Sequence, residues 1–218
     1  MPRAPHIELP TAPKKRRTQA ERTAETRGRI IAAVTDLISE RGFARTTAQE
    51  ICTRAGVTWG AVQHHFGGKD GILTAVLEAS FNHFADRIAE TPVDGVPLNE
   101  RVSSFVDKAW QHYSSRHYRT TFEILLNVQG RDAGDDRNDE SDVPQWQGQM
   151  YDAWNEVWIS VFPDARPTRR REFFIQHYTL SVLSGLAATL MLQGDGAEVA
   201  PEELDLLKQT ILAELDGG

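Results

Sequence analysis

The sequence predicts an all-α protein of about nine helices, and two observations support that fold class. Apolar residues recur at the i, i+3, i+4 spacing of helices over most of the chain, and no stretch keeps the alternation typical of strands. Segments rich in proline, glycine or acidic residues separate the predicted helices. With 218 residues and 40% hydrophobic residues, the chain can form one large domain or two small ones.

The helices are expected in a defined order. The first lies between about residue 21 and Gly42, which suits a helix C-terminus. Its apolar face consists of Ile30, Ala33, Val34, Leu37 and Ile38. The next predicted helices cover residues 47–55, 58–65, 69–90, 98–114, 117–129, 144–162, 168–193 and the residues from Pro201 onwards.

Three segments interrupt the helical pattern. Residues 91–97 contain two prolines and a glycine, and Gly194 to Gly196 ends the long helix before Pro201. Residues 130–142 hold six acidic residues, two arginines and no large apolar side chain. We expect a mobile loop there, with a plain solvated connector as the alternative reading.

The net charge of −7 is unevenly distributed along the chain. Residues 1–80 carry twelve Lys/Arg against eight Asp/Glu, whereas residues 81–218 carry twelve against twenty-three. The positive excess lies in residues 1–20, which contain four prolines and the run Lys14, Lys15, Arg16, Arg17. This composition predicts a disordered basic arm that meets an anion; a solvated tail with no role is the alternative.

Cysteine content and hydropathy indicate a cytoplasmic location. Cys52 is the single cysteine, so it forms no internal disulfide and no cysteine metal cluster. The N-terminus has no apolar signal-peptide core, and no run approaches about 18 consecutive apolar residues. We therefore expect no membrane partner.

The most informative segment is a predicted helix-turn-helix. Thr47 and Glu50 form a T-x-x-E capping box that starts one helix, Gly56 permits the turn that ends it, and Thr58 can cap the next helix. Two short helices across a three- to four-residue turn with glycine are typical of DNA-binding motifs. In that motif the second helix enters the major groove by its N-terminal residues.

The side chains of the second helix suit base and phosphate contacts. Gln63 can bond adenine, and Thr58 or Ala61 can contact a thymine methyl group. Thr47 and Lys69 are placed to contact phosphate. The candidate DNA-contacting residues are Thr47, Thr58, Trp59, Ala61, Gln63, His64, His65 and Lys69, with Lys14, Lys15, Arg16 and Arg17 of the arm.

Residues 22–79 resemble the DNA-binding domain of TetR-family transcriptional regulators, with the match running from Thr47 through Ile51 and Ala55-Gly56 to Lys69. The family usually has tyrosine at the positions of Gln63 and His65. These differences lie on the predicted reading surface, so no operator sequence is carried over from the family.

Together with the disordered basic arm (1–20) predicted from composition, the resemblance implies a helix-turn-helix DNA-binding domain (21–68) and a helical ligand-binding and dimerisation domain (69–218). It also implies a homodimer through residues 169–193 and 201–214. A single helix-turn-helix covers little DNA, so a palindromic double-stranded operator is expected. A helix buried within one subunit is the alternative for the small-residue run around Ser184.

Aromatic residues dominate the C-terminal half and suggest a pocket. Trp146, Met150, Trp154 and Trp158 follow one another at i+4 steps. The candidate ligand-binding residues are Phe105, Trp110, Tyr113, Phe122, Trp146, Met150, Trp154, His177 and Tyr178. Core packing is the alternative for each of them. The predicted effector is apolar or aromatic, with a cation held by aromatic faces as the second choice.

No pattern indicates an enzyme, a metal site or a cofactor. His64 and His65 point about 100° apart on a helix, so one ion cannot easily take both. The Glu-x-x-His pair of di-iron bundles is absent from the sequence. The combined prediction is a dimeric repressor released from DNA by a small molecule. The alternative is a DNA-binding activator or protein-controlled regulator without a small-molecule inducer.

Overall fold

The computed structural model describes residues 18–132, 143–165, 168–194 and 196–216, and this part of the chain contains nine α-helices and no strand. The all-α prediction is confirmed. The helices are α1 (Gln19–Arg41), α2 (Ala48–Ala55), α3 (Trp59–Phe66), α4 (Lys69–Ala89), α5 (Leu98–Tyr113), α6 (Arg116–Asp132), α7 (Val143–Val161), α8 (Arg169–Gln193) and α9 (Pro201–Asp216). A short 3-10 helix, Phe43–Arg45, joins α1 to α2.

Helix α1 begins inside the segment predicted as an arm. The Thr18 hydroxyl accepts a hydrogen bond from the Glu21 N–H at 3.2 Å, and the Glu21 carboxylate accepts one from the Thr18 N–H at 2.7 Å. This capping box satisfies two backbone donors that a helix start leaves unpaired. The predicted arm 1–20 is therefore too long by at least two residues. Residues 1–17, with their four consecutive cations, lie outside the described residues.

The helix-turn-helix begins and ends where its capping residues predict. The Thr47 N–H donates to the Glu50 carboxylate at 3.1 Å, and the Glu50 N–H donates to the Thr47 hydroxyl at 3.3 Å. Gly56 adopts φ 65° and ψ 41°, the left-handed conformation that ends α2. The Thr58 hydroxyl then accepts from the Ala61 N–H at 3.2 Å and starts α3.

Two hydrophobic cores organise the helices. The first joins α1 to α4 and includes Ile124 of α6, while the second joins α4 to α9. Helix α4 belongs to both, since Ile72 lies in the first core and Phe84 in the second. The predicted boundary between residues 68 and 69 thus coincides with a new helix, but packing continues across it.

The acidic connector between α6 and α7 is shorter than the sequence predicted. Helix α6 extends to Asp132, three residues into the segment 130–142 that was predicted as a loop, and α7 begins at Val143. Residues 133–142 lie outside the described residues, so their predicted mobility stays a prediction.

Helix α8 is long and rich in apolar residues. Its residues Arg170–Gln193 are long and apolar enough, by length and composition alone, to cross a membrane. Core helices of soluble proteins pass the same test. From the sequence we expected no apolar segment of membrane length, because only uninterrupted apolar runs were considered. Helix α8 corrects that expectation, since its mean hydropathy is high although polar residues interrupt it. Only 28% of an 18-residue apolar window in this stretch is buried within the subunit, and the large apolar side chains of Phe173, Phe174 and Leu192 are exposed.

Candidate functional site

Helix α3 presents one buried face and one exposed face. Val62 is fully buried in the first core, and Phe66 packs against that core. On the other side Thr58, Gln63 and His64 are all exposed. The sequence-predicted reading surface is therefore accessible along the first two turns of the helix, where a major-groove helix carries its base contacts.

The other predicted contact residues differ in accessibility. Trp59 and His65 are half-buried, and Trp59 packs against the first core. Ala61 is also half-buried, whereas Thr47 and Lys69 are exposed. Because part of the Trp59 ring serves the core, it contributes an edge rather than a whole side chain to the surface.

Arg27 holds the C-terminal end of α3 and was not predicted. Its guanidinium donates a hydrogen bond to the His65 carbonyl and lies 4.4 Å from the centroid of the Phe66 ring. A cation at a helix C-terminus satisfies an unpaired carbonyl and the helix dipole. Arg27 lies 38 residues before its partner, so no local pattern in the sequence could have indicated this contact.

Most described cations of the helix-turn-helix region already have a protein partner. Arg41 pairs with Glu50, and Arg54 pairs with Glu40. The Lys69 ammonium lies 5.2 Å from the centroid of the Phe43 ring. Hydrogen bonds from Thr47 hold the pKa of Glu50 below its usual range. The charge of these side chains is thus largely compensated within the domain.

The turn between α3 and α4 depends on a close backbone approach. A Cβ atom at Gly71 would lie 1.8 Å from the Phe66 carbonyl oxygen. No real side chain tolerates that distance to a backbone atom, so only glycine fits without moving α3 relative to α4. Gly71 is a further residue that the sequence analysis missed.

A cavity of about 430 Å³ lies among α4, α5, α6, α7 and α8. Its size is within the range of about 300–1,000 Å³ typical of small-molecule sites. The lining residues are Leu77, Ser80, Phe81, Phe84, His112, Tyr113, Tyr118, Thr121, Leu125, Met150, Tyr151, Trp154, Leu180 and Ser184. A void of about 10 Å³ near Phe43 and Lys69 is too small for such a ligand.

The cavity contains three of the nine predicted ligand-binding residues: Tyr113, Met150 and Trp154. Five others lie outside this lining, namely Phe105, Trp110, Phe122, His177 and Tyr178, so their role in ligand binding stays a prediction. The side chain of Trp146 lies outside the described residues. The sequence analysis missed His112, Tyr118 and Phe84, which do line the cavity.

Packing explains why those five residues lie outside the lining. The Phe105 ring is completely buried and meets the rings of Trp158 and Phe162 edge-on, at centroid distances of 5.5 Å. Trp110, Phe122 and Tyr178 pack against the second core as half-buried side chains. His177 is exposed and stacks on Phe173, with parallel rings 6.2 Å apart.

The polar groups of the lining are uncharged near neutral pH. Burial, together with the charges of His83, His117 and Arg87, lowers the pKa of His112 to about 4. Burial likewise raises the pKa of Tyr113 and of Tyr118. The Tyr118 hydroxyl donates to the Ser184 hydroxyl at 3.0 Å.

Three polar atoms of the lining residues are buried without a hydrogen-bond partner: His112 Nδ1, Tyr151 Oη and Trp154 Nε1. A buried donor or acceptor without a partner is costly and usually calls for an explanation. All three residues line one cavity, so a molecule bound there is the simplest source of partners.

Helix α6 connects the cavity to the helix-turn-helix. Tyr118 and Thr121 line the cavity, while the Thr120 hydroxyl donates to the Thr35 carbonyl of α1 at 3.3 Å. The Glu123 carboxylate accepts a hydrogen bond from the Phe43 N–H at 2.8 Å. The same helix therefore contacts both the cavity and the segment that leads into α2.

Neither site has the ligand set of a metal centre. Among the described residues, no three His, Cys, Asp or Glu side chains are grouped closely enough to hold an ion. His64 and His65 meet edge to face, with ring centroids 5.2 Å apart, in a surface where no third such ligand is described.

Comparison with known proteins supports the identity of the N-terminal domain. Residues 30–76 match the family described as "Bacterial regulatory proteins, tetR family". HTH-type transcriptional regulator CymR of Pseudomonas putida is 30% identical over 112 residues, which are 51% of this chain and 55% of that protein. HTH-type transcriptional regulator TtgR, also of Pseudomonas putida, is 40% identical over 86 residues, or 38% of this chain and 40% of the relative.

Solved structures agree over a longer part of the chain, at the level of fold. The multidrug binding protein EbrR, complexed with imidazole, is 18% identical with a TM-score of 0.59 over 85% of this chain and 89% of that one. GusR of Salmonella enterica is 18% identical with a TM-score of 0.64 over 88% of this chain and 95% of that one.

The alignments to these curated relatives span about half of the relatives' length or less. The capping box, the turn glycine and the exposed face of α3 all fall within the segment that matches the family. The helix-turn-helix part of this chain, within residues 30–76, is therefore similar to the tetR family of bacterial regulatory proteins.

Proposed function

We propose that this chain is a cytoplasmic DNA-binding transcriptional regulator. In this proposal it binds a two-fold symmetric operator as a homodimer and represses transcription. The observation that carries the proposal is the accessible N-terminal face of α3, where Gln63 is exposed while Val62 anchors the helix. The proposal assigns no catalytic activity to the chain.

Dimerisation is supported by the outer faces of α8 and α9. Phe174 and Leu192 of α8 and Leu206 of α9 are exposed large apolar side chains. Exposed apolar side chains on adjacent helices are typical of interaction surfaces. Two subunits joined there would present two α3 helices, which suits half-sites about 34–36 Å apart.

Release by a small molecule is supported by the cavity and by α6. A ligand can shift a conformational equilibrium only if it binds the two states with different affinity. A ligand against Tyr118 and Thr121 contacts the same helix that carries Thr120 and Glu123. A small displacement of α6 would reach α1 and the start of α2, and it would change the spacing of the two reading helices.

Base reading by Gln63 is tested with the variant Gln63→Ala. Operators are first selected from random DNA with the unmodified protein, and affinities are then measured for the selected site and for all single-base changes. Loss of a bidentate contact should remove roughly 1–3 kcal/mol of discrimination at one base pair of each half-site. Affinity for unrelated DNA should change little.

Gln49→Ala is the matched control, because Gln49 is an exposed glutamine of α2 in the same motif. Any loss in that variant should be equal for all sequences. If Gln63→Ala also weakens binding equally on every sequence, Gln63 contacts the backbone and the assignment is wrong. The alternative is a regulator that is controlled by a protein partner and has no small-molecule inducer. It would be favoured if only a protein partner, and none of the compounds that bind the cavity, displaced this chain from its operator.

A further inference from the structure

We propose that the cavity binds an uncharged, flat aromatic compound that carries a hydrogen-bond-accepting oxygen. This inference rests on the proposed function, since it names the chemical class of the effector of that same cavity. Four properties of the lining support it: its lack of charge, the sign of the nearest charges, its aromatic faces, and its unpartnered donors.

The first property is the absence of a counter-charge. None of the fourteen described lining residues is Asp, Glu, Lys or Arg. The pKa of His112, at about 4, leaves that side chain neutral at pH 7. An ion entering this cavity would lose its hydration without gaining a charged partner, which strongly disfavours it.

The second property separates cations from neutral aromatics. Aromatic faces alone can attract a cation, and the lining is rich in them. The neighbour of His112 that is positively charged at neutral pH, however, is Arg87, and its charge contributes to the lowered pKa of that histidine. That field repels a cation. An anion gains little from Arg87, because Arg87 donates to Gln111 and is not a lining residue.

The third property is the arrangement of the rings. Phe84 and Trp154 lie nearly parallel, with an interplanar angle of 10° and centroids 5.4 Å apart. The rings of Tyr113 and Tyr118 lie 4.3 Å apart. Such faces and edges pair well with another flat ring. The volume of about 430 Å³ leaves room for a two-ring compound.

The fourth property is the unpartnered Trp154 Nε1. This nitrogen can only donate, so its partner must be an acceptor. Only 3% of Trp154 is exposed, so bulk water does not supply that acceptor. The Tyr151 hydroxyl is also unpartnered. A carbonyl, ether or phenolic oxygen on the ligand would accept from these donors after a small adjustment of the side chains.

Four probes of similar shape test the proposal by calorimetric titration of the full chain. They are 2-acetylnaphthalene (neutral with an acceptor), naphthalene (neutral without one), 2-naphthoate (anionic) and N-methylquinolinium (cationic). We expect 2-acetylnaphthalene to bind roughly fivefold more tightly than naphthalene, as one hydrogen bond implies. It should bind at least about tenfold more tightly than either ion.

Two variants locate the acceptor contact. Trp154→Phe should reduce the affinity for 2-acetylnaphthalene to that for naphthalene, with Trp110→Phe as the control, since Trp110 packs against the second core outside the lining. Because Trp154 is a core residue, Tyr151→Phe, with Tyr178→Phe as its control, provides a second test. A smaller preference for the ketone in either cavity variant supports the proposal.

Three results would overturn the proposal. They are an ion that binds as tightly as 2-acetylnaphthalene, no binding of that ketone, and a preference over naphthalene that persists in both cavity variants. Mobility shifts with the selected operator, run in parallel, test the proposed function separately. If the ketone binds but the operator complex persists, the chemical class stands and the effector role fails.

Discussion

Arg101 is a buried cation that ties the start of α5 to the end of α7. Its guanidinium donates to both oxygens of the Asp164 carboxylate, at 2.6 and 2.7 Å, and to the Val161 carbonyl at 3.0 Å. Only 4% of the Arg101 side chain is exposed. A buried charge of this kind is tolerated only while its partner remains ionised and in place.

The ion pair predicts how stability depends on pH. The hydrogen bonds from Arg101 hold the pKa of Asp164 below its usual value. A carboxyl with a lowered folded-state pKa stabilises the fold at pH values above its unfolded-state pKa, and this contribution is lost as the pH falls through the folded-state pKa. Asp164→Asn should therefore lower the Tm by several degrees at pH 7. The difference from the unmodified protein should shrink as the pH falls below the ordinary pKa of an aspartate.

Thermal unfolding followed by circular dichroism from about pH 2.5 to pH 7 provides the measurement, since this range spans the ordinary pKa of an aspartate. Asp152→Asn is the control, because Asp152 is an exposed acid of α7 for which no ion pair occurs in the described part of the chain. That variant should follow the unmodified protein at every pH. A Tm difference for Asp164→Asn that is constant over the whole range would show that the effect is not due to ionisation.

The junction of α3 and α4 explains why a glycine stands at the start of a helix. A Cβ atom at Gly71 would collide with the Phe66 carbonyl, and the backbone of α3 would have to move. We expect Gly71→Ala to lower the free energy of unfolding by about 2 kcal/mol. It should also weaken operator binding, because α3 carries the exposed reading face.

The matched control is Gly28→Ala in α1. A Cβ atom at Gly28 would meet nothing within 4 Å, so alanine should stabilise the helix by up to about 1 kcal/mol. The same substitution is thus expected to have opposite signs at the two positions. Urea unfolding of both variants gives the comparison. Equal stability changes would mean that α4 can shift away from α3 at little cost.

Helix positions could be predicted from the sequence because their signals are local. Thr47, Glu50, Gly56 and Thr58 specify the helix-turn-helix within twelve residues, and the structure confirms each cap. The start of α1 could also have been predicted from the sequence, since Thr18 and Glu21 form a capping box there. The proline-rich and basic composition of the preceding residues favoured a disordered arm instead.

The cavity could be predicted only in part. Helical spacing shows that an aromatic side chain faces inward, but it does not show whether the facing helices meet there or leave a gap. Phe105 therefore has the same sequence signature as Trp154, although only Trp154 lines the cavity. His112 lies beside Phe84 of α4, and Tyr118 lies beside Ser184 of α8. Both residues line the cavity because of these contacts between distant segments, which local sequence patterns do not reveal.

The complete subunit joins its two cores through α4 and α6. Ile124 of α6 is completely buried in the first core, whereas Tyr118 of the same helix is buried in the second. The Glu123 carboxylate adds a hydrogen bond to the Phe43 backbone. With both helices shared, the helix-turn-helix is positioned by the cavity walls, and a change at the cavity has a direct structural route to the DNA-binding surface.

In the proposed dimer, the outer faces of α8 and α9 form the contact between the two subunits. Leu192 is 88% exposed and Leu206 is 62% exposed, so a glutamate at each position should fit the isolated subunit but place charges in a dimer interface. The double variant Leu192→Glu, Leu206→Glu should have a mass of 24.4 kDa by light scattering, rather than twice that value, and its helical content should be unchanged.

Leu126→Glu is the control, because Leu126 is a similarly exposed leucine on α6 (60%), and it should leave the dimer intact. Operator affinity should fall sharply only in the double variant, because a monomer contacts one half-site. A double variant that keeps the mass and operator affinity of the unmodified protein would rule out this face as the interface.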